Sequence, residues 1–288
     1  MKESKYLGKK TTYPQKYKPD VLLPIPRIEN REQYNIPEHP NFAGADVWHC
    51  YEFGFLTNMG LPVTGLLKIV YPSSSLFIIE SKSLKLYLNS FNMEHFGKTR
   101  DDGYEKVLAM IKHDLEKVLQ CKIEIGFFDK EYTQLFDFGR YKRLETLVNV
   151  EELEISIYNE NPDLLNINEN GTQELQVFSD VLRSNCKVTH QPDWGSVFIH
   201  LKSTKSLKLD SLLKYLVSFR NENHFHEEVC EIIYKRLFDL LEPEELMVTC
   251  IYTRRGGIDI CPVRANKKEL LPGLLTNPDI LDKKLLRQ

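Results

Sequence analysis

The sequence predicts an α+β protein made of two copies of one module, with antiparallel sheets carrying helices on one face. Three observations predict it. A short phrase recurs in the two halves, each copy leads into a helical stripe of apolar residues, and short β-rich segments flank those helices.

The first forty residues contain Pro14, Pro19, Pro24, Pro26, Pro37 and Pro40, each of which pushes its predecessor toward extended backbone. Residues 1–40 therefore read as an extended arm around the body. A first module over 41–158 follows. In it, Tyr87-Leu88-Asn89-Ser90-Phe91 precedes Glu94-His95-Phe96, and Val107, Leu108, Met110, Ile111, Leu115, Val118 and Leu119 form one helix face. Asn-Glu-Asn-Pro and Asn-Glu-Asn-Gly between Tyr158 and Thr172 mark a break, giving a linker over 159–175.

The second module, 176–288, repeats the order: Tyr215-Leu216-Val217-Ser218-Phe219, then Glu222 and His224-Phe225. A second stripe follows, made of Val229, Ile232, Ile233, Leu237, Leu240 and Leu241. Ser81-Lys82-Ser83-Leu84-Lys85-Leu86 ahead of the first copy matches Ser203 to Leu209 ahead of the second. Strands are predicted at Thr64–Tyr71, Leu76–Glu80, Lys122–Phe128, Leu153–Tyr158, Ser196–Leu201 and Leu246–Thr253. A closing tail runs from Pro262 to Gln288.

Bulk properties narrow the function. The chain has 288 residues, 42% hydrophobic and 27% charged, with a net charge of −3. A pI of about 6.3 argues against a protein that grips a phosphate backbone, so direct nucleic-acid binding is not expected. The longest apolar runs fall short of a membrane span, and Met1 to Lys18 has no apolar stretch of a secretory signal. Six cysteines at 50, 121, 186, 230, 250 and 261 contain no C-x-x-C pair, which favours reduced thiols in a cytoplasm.

Four segments can carry chemistry. Cys186 sits in a polar, turn-like stretch with Arg183, Lys187 and His190 nearby, cations that favour a thiolate; most free cysteines are nevertheless inert and buried. Asp193, in Gln191-Pro192-Asp193-Trp194-Gly195, is either a turn cap or an acid kept protonated beside Trp194. His226-Glu227 opens the second helix. Glu227 there either complements the helix dipole or accepts from a ligand with two adjacent N–H donors, such as a guanine-type edge. Arg254-Arg255-Gly256-Gly257 is a basic turn, either solvated or suited to phosphate. His224 and His226 lack a third ligand at a known spacing, so no metal is expected. With neither G-x-G-x-x-G nor G-x-x-x-x-G-K present, residue-level reasoning does not reach a nicotinamide cofactor.

A resemblance goes further. Glu80 through Phe91, Ser184-Asn185-Cys186 through His190 to Gly195, Phe225-His226-Glu227 and Tyr252 through Ile260 resemble the NADPH-dependent 7-cyano-7-deazaguanine reductases of queuosine biosynthesis, in their long form. The likeness runs from about Pro40 to Arg264 and weakens in the arms. It implies tandem tunnelling-fold modules, a homodimer, NADPH as cofactor and a small deazaguanine as substrate. It further implies that Cys186 attacks the nitrile carbon to give a thioimide and that Asp193 supplies the proton. Ile79, Glu80, Ser81, His226 and Glu227 would hold the substrate, and Ser81, Lys82, Arg255 and Gly256 the cofactor. Cys261 stands where the family commonly has Asn, and Val263 where it has an aromatic residue. Two rivals stay open: a tunnelling-fold pterin or purine hydrolase, which relies on zinc or another base, and a non-catalytic deazapurine-binding module.

Overall fold

The computed structural model describes residues 13–130, 135–168 and 171–288, so Met1–Thr12 of the arm and residues 169–170 of the linker lie outside the described residues. One antiparallel-rich sheet runs through both modules. From the first module come β1 (Ala43–Leu56), β2 (Pro62–Pro72) and β3 (Glu124–Phe128). From the second come β4 (Gln173–Ser179), β5 (Arg183–Cys186), β6 (Pro192–Ser203), β7 (Asn223–His224), β8 (Glu245–Tyr252) and β9 (Ile258–Ala265). The path is β7-β5-β6-β8-β9-β1-β2-β3, with β4 also on β6. The seam is β9 on β1, in register from Ile258↔Cys50 to Ala265↔Ala43.

Alternation along the strands sorts the core into layers. Trp48, Cys50, Ile258 and Ile260 face the first pair of helices, α1 (Ser81–Asn89) and α2 (Arg100–Leu119). Val197, Ile199, Val248 and Cys250 face the second pair, α3 (Leu209–Val217) and α4 (His226–Leu241). Residues one position out of phase, including Val47, Phe198, Met247 and Val263, form a layer on the opposite face under Phe138 and Leu275. All four long helices therefore lie on one face, the arrangement expected of the two helices that the stripes predict, while α1 and α3 were not foreseen. Each fully buried stripe leucine or isoleucine contributes about 1.5–3 kcal/mol.

The internal repeat is reproduced in packing detail. Tyr87 stands edge-on to Phe91 at 5.3 Å and 89°, and Tyr215 to Phe219 at 5.5 Å and 83°. The Ser90 hydroxyl donates to the Tyr87 carbonyl and that of Ser218 to the Tyr215 carbonyl.

Several expectations need correction. Leu153–Tyr158 is irregular, not a strand: Leu153 packs on the second core and no neighbouring strand pairs with the segment among the described residues. The strands β1, β4, β5, β7 and β9 were not foreseen. In β1 the buried Asp46 and His49 and exposed Glu52 interrupt the apolar pattern. The strand β4 begins inside the stretch read as linker, and Pro262 lies within β9 rather than opening a tail.

The arm is tied down by charge. Pro24–Pro26 pairs with Phe77–Ile79, and a short helix at Ile28–Arg31 follows. Arg27 pairs with Asp46, and Arg31 is bidentate on Glu231 at 2.9 Å for each contact. Arg264 reaches Asp46 at 2.8 Å and Glu231 at 2.9 Å, closing a buried ionic lattice under α4. At the other end, His49 bridges Asp259 at 2.7 Å and Asp282 at 3.0 Å, which fastens the tail to the sheet. Cys261 also offers a ligand atom within 4.8 Å of those of His49 and Asp259, but the Lys284 ammonium, 2.9 Å from His49 Nδ1, supplies the positive charge there.

Candidate active site

Strand geometry puts the thiol and the carboxyl together. Ser184 and Cys186 share a face of β5, being two apart, and Asp193 on β6 pairs directly with Ser184. Cys186 and Asp193 are thus diagonal neighbours on one face. The loop between them is closed by Cys186 N–H donating to the Gln191 carbonyl at 2.8 Å and His190 N–H to the Cys186 carbonyl at 2.9 Å. His190 takes a left-handed φ of 56° in that loop. Two local expectations change accordingly: Cys186 ends a strand and is 5% exposed, and Asp193 opens a strand rather than capping a turn.

The cations foreseen around Cys186 are engaged elsewhere. Arg183 donates to the Arg220 carbonyl, Lys187 to Glu228 at 2.8 Å, and the His190 ring meets Asn223 at 2.7 Å. Trp194 is 38% exposed and lies under Arg183 and Arg220, so it does not roof Asp193. What Asp193 meets is Arg255 at 2.7 Å and His226 Nε2 at 3.4 Å. The His226 ring stacks on Tyr252 at 3.9 Å and 22°.

These groups open on a narrow cleft lined by Ile79, Ser81, Cys186, Asp193, His226, Glu227 and Arg255, together with Trp48, His224, Phe225 and Ile260. Trp48, Ile79 and Ser81 come from the first module and the rest of the predicted set from the second, so the cleft lies on the junction. His224 does not pair with His226: it turns to Glu228 at 3.3 Å and Glu222 at 3.4 Å. Burial disfavours the His224 cation, but those two carboxylates outweigh it and raise the imidazole.

Glu227 is 3% exposed, and its Oε1 has no hydrogen-bond partner among the described residues. Burial, reinforced by the Asp46 charge and only partly offset by Arg27, pushes its carboxyl up to about 8. An uncharged, unpartnered acid in a cleft is unfavourable in the free protein and is matched by a ligand bringing N–H donors.

Three predicted residues stand differently. The Glu80 carboxylate is spent locally: it caps α1, accepting from Lys82 N–H at 3.0 Å and Ser83 N–H at 2.7 Å. Burial raises that carboxyl and the two amides restrain the rise. Lys82 points to Tyr13, with Nζ 2.9 Å from the hydroxyl. Gly256, at φ 59°, offers its carbonyl to Lys85 Nζ at 2.6 Å. A side chain at Gly257 (φ 80°) would meet Glu52, with the nearest atom at 2.4 Å. Arg254 and Arg255 open a glycine turn beside the cleft and Lys85 reaches it, a donor set that fits an anionic dinucleotide. Sequence reasoning missed Trp48 and Lys85. Trp48 lies on the unforeseen β1, and Lys85 reaches the glycine turn only through its contact across the junction.

A thiol and a carboxyl on one sheet face, opposite a buried acid, make a site suited to covalent catalysis. Comparison with known proteins gives this class its family. Residues 13–127 match the family described as nitrile reductase, 7-cyano-7-deazaguanine-reductase N-term, and residues 192–270 match that described as QueF-like protein. The chain is 39% identical over 273 residues to the NADPH-dependent 7-cyano-7-deazaguanine reductase of Acinetobacter baumannii (strain SDF), covering 94% of this chain and 96% of that one. It is 39% identical over 265 residues to the protein of the same name from Coxiella burnetii (strain Dugway 5J108-111), covering 91% and 92%. Among solved structures, the archaeosine synthase QueF-Like in its apo form aligns with a TM-score of 0.29 and 17% identity, over 34% of this chain and 95% of that one. The chain belongs to the NADPH-dependent 7-cyano-7-deazaguanine reductase family, a family of oxidoreductases in its two-module form.

Proposed function

We propose that the chain reduces the nitrile of 7-cyano-7-deazaguanine to the aminomethyl group through a thioimide on Cys186, within queuosine biosynthesis for tRNA modification. The observation that carries the reading is the meeting of Cys186, Asp193, His226 and the unpartnered Glu227 in one junctional cleft.

A nitrile is a poor hydride acceptor. Addition of the Cys186 thiol across C≡N forms an S–C bond and sends one proton to nitrogen, leaving a C=N bond that accepts hydride. Asp193 is the group placed to pass that proton, with His226 at 3.4 Å to orient it. The Arg255–Gly256 turn would hold NADPH, which would supply one hydride per molecule, so two molecules act in turn. The first hydride adds to the thioimide carbon; the S–C bond then breaks, the thiolate leaves and an imine remains, and the second hydride with uptake of protons takes that imine to the amine. Glu227 holds the guanine-type edge, so ordinary nitriles, which leave that acid unpartnered, are rejected. Ile79 and Ser81 line the substrate side, Lys82 and Ser81 the cofactor side, and Glu80 acts by fixing the start of α1.

Two tunnelling-fold modules, divided as arm 1–40, module 41–158, linker 159–175 and module 176–288, form the unit of this proposal. A homodimer covers sheet edges such as β3. Six unpaired thiols suit the cytoplasm; no helix among the described residues is long and apolar enough to cross a membrane.

The test is an intact mass after mixing with 7-cyano-7-deazaguanine in the absence of NADPH. An added mass equal to the substrate, lost in Cys186→Ala, is expected. No adduct at saturating ligand overturns the mechanism and leaves a binding module. Cys261, buried under the tail, is no competitor for the nitrile.

A further inference from the structure

The N-terminal arm straps α1. At the start of that helix, Leu23 N–H donates to the Ser83 hydroxyl at 3.0 Å, and Glu80 N–H donates to the Leu23 carbonyl at 2.9 Å. At its far end, Lys18 N–H donates to the Ser90 hydroxyl at 3.2 Å, Tyr17 N–H to Glu94 at 2.9 Å, and the Tyr17 hydroxyl to Asp114 at 2.6 Å. Between Lys18 and Tyr13 the chain doubles back. Tyr13 stands again at the start of α1, where Lys82 Nζ donates to its hydroxyl at 2.9 Å and lies 4.7 Å from its ring centre. The reach is sufficient: the residues from Tyr13 to Lys18 extend about 16 Å, and Lys82 to Ser90 spans about 12 Å of helix.

That place adjoins the glycine turn beside the cleft. Ser81 lines the cleft and Lys82 follows it on α1. Lys85, one turn further along, reaches the Gly256 carbonyl at 2.6 Å and Glu52 at 2.9 Å. The Tyr13 phenol feels all three charged groups. The Lys82 hydrogen bond holds it below its ordinary value against a smaller effect of burial; the Lys82 and Lys85 charges add to this and Glu52 opposes it. Tyr13 is 40% exposed and its oxygen accepts from Lys82, so its own proton is free for an acceptor arriving from outside.

We propose that Tyr13 is a cofactor-contacting residue supplied by the arm, its hydroxyl and the Lys82 ammonium together taking one phosphate group of NADPH. The inference rests on the cofactor side of the reading above. A phosphate oxygen only accepts. Lys82 keeps two N–H donors besides the one given to Tyr13 among the described residues, and the phenol sets a further donor beside them. A lysine alone is a point charge on a flexible stem, and fixing it on an anion costs side-chain entropy. Tyr13, tethered by the strap, holds Lys82 in place before the cofactor arrives, which lowers that cost. The arm thereby completes a site otherwise built by the two modules.

The experiment measures calorimetric Kd values for NADP+ and NAD+, which bind without turning over. The proteins are the full-length wild type, Tyr13→Phe, Lys82→Met and the double variant. Tyr13→Phe removes one hydroxyl and keeps the ring; it should weaken NADP+ about three- to tenfold. In the Lys82→Met background the same change should cost less than about twofold, because the two groups act as a unit. Tm and the affinity for 7-cyano-7-deazaguanine should stay at wild-type values, which separates a lost cofactor contact from a loosened arm. Weakening of NADP+ alone assigns the 2′-phosphate, and weakening of both nucleotides assigns the pyrophosphate. Unchanged or tighter NADP+ binding by Tyr13→Phe, with Lys82→Met weakened, overturns the assignment; tighter binding would make Tyr13 a plug that the anion displaces. A wild-type chain that binds no NADP+, or a Lys82→Met variant that binds it as the wild type does, overturns the cofactor reading, and this inference falls with it.

Discussion

Asp193 and Arg255 meet at 2.7 Å across the mouth of the cleft. The pair joins the carboxyl proposed as proton donor to the guanidinium proposed to meet cofactor phosphate. A guanidinium drawn onto phosphate leaves the carboxyl free for His226 and the substrate nitrogen. On those proposed roles, cofactor binding and proton delivery would be coupled through one side chain.

Arg255→Ala should raise the KM for NADPH about tenfold or more, the order of one charge-assisted hydrogen bond. Adduct formation without NADPH should persist. Arg255 is 39% exposed, so stability should change by less than about 1 kcal/mol. Steady-state kinetics with intact mass checks both halves; an unaltered KM would remove Arg255 from the cofactor site.

Asp193→Asn keeps the shape of the side chain and removes its proton chemistry. The expected fall in kcat is about 10²- to 10⁴-fold, with slower appearance of the adduct. Stopped-flow absorbance and timed mass spectra measure it. Normal turnover in this variant would assign the proton to another group.

Glu227 gives a pH signature. Its carboxyl is raised from 4.5 to about 8 in the folded chain, so between those values the folded state holds a proton that the unfolded state releases. Stability from this group falls as pH rises through that window and then levels off. Glu227→Gln should remove the slope and be more stable than wild type at pH 9 by on the order of 5 kcal/mol. Urea unfolding at pH 5 and pH 9 reads it. Substrate N–H donors favour the carboxylate, so binding at pH 7 should release a proton, visible as a buffer-dependent heat in calorimetry.

The tail latch predicts acid sensitivity of opposite sign. His49, joined by the charges of Lys284 and Lys68, holds Asp282 well below the ordinary carboxylate range, and His49 holds Asp259 at about 2. Depressed carboxyls stabilise above the unfolded value near 3.8, and this is lost as pH falls through the folded value. Asp282→Asn should cost about 3 kcal/mol at pH 7, since it leaves buried His49 and Lys68 under-partnered. The difference from wild type should shrink as pH approaches 2. A constant gap would show that packing, not charge, holds the tail.

Local and repeating features were legible in the sequence. Helical periodicity located α2 and α4, since each stripe reports its own buried face. The recurrence of Tyr87–Phe91 at Tyr215–Phe219 announced the duplication, and the side chains pack alike. Family likeness singled out Cys186, Asp193 and Glu227, which do line one cleft. Helix α1 was missed because its cap is Glu80, outside the usual Ser, Thr, Asp and Asn set.

Tertiary structure alone decided which residues meet across the chain. Periodicity records the face a side chain occupies and is silent about its partner. The β9–β1 seam, the Arg255–Asp193 pair and the docking of Arg31 on Glu231 each join segments far apart in sequence. The value near 8 at Glu227 has the same origin: it comes from burial and from Asp46, a charge on β1 of the first module that nears α4 of the second only when both modules share one sheet.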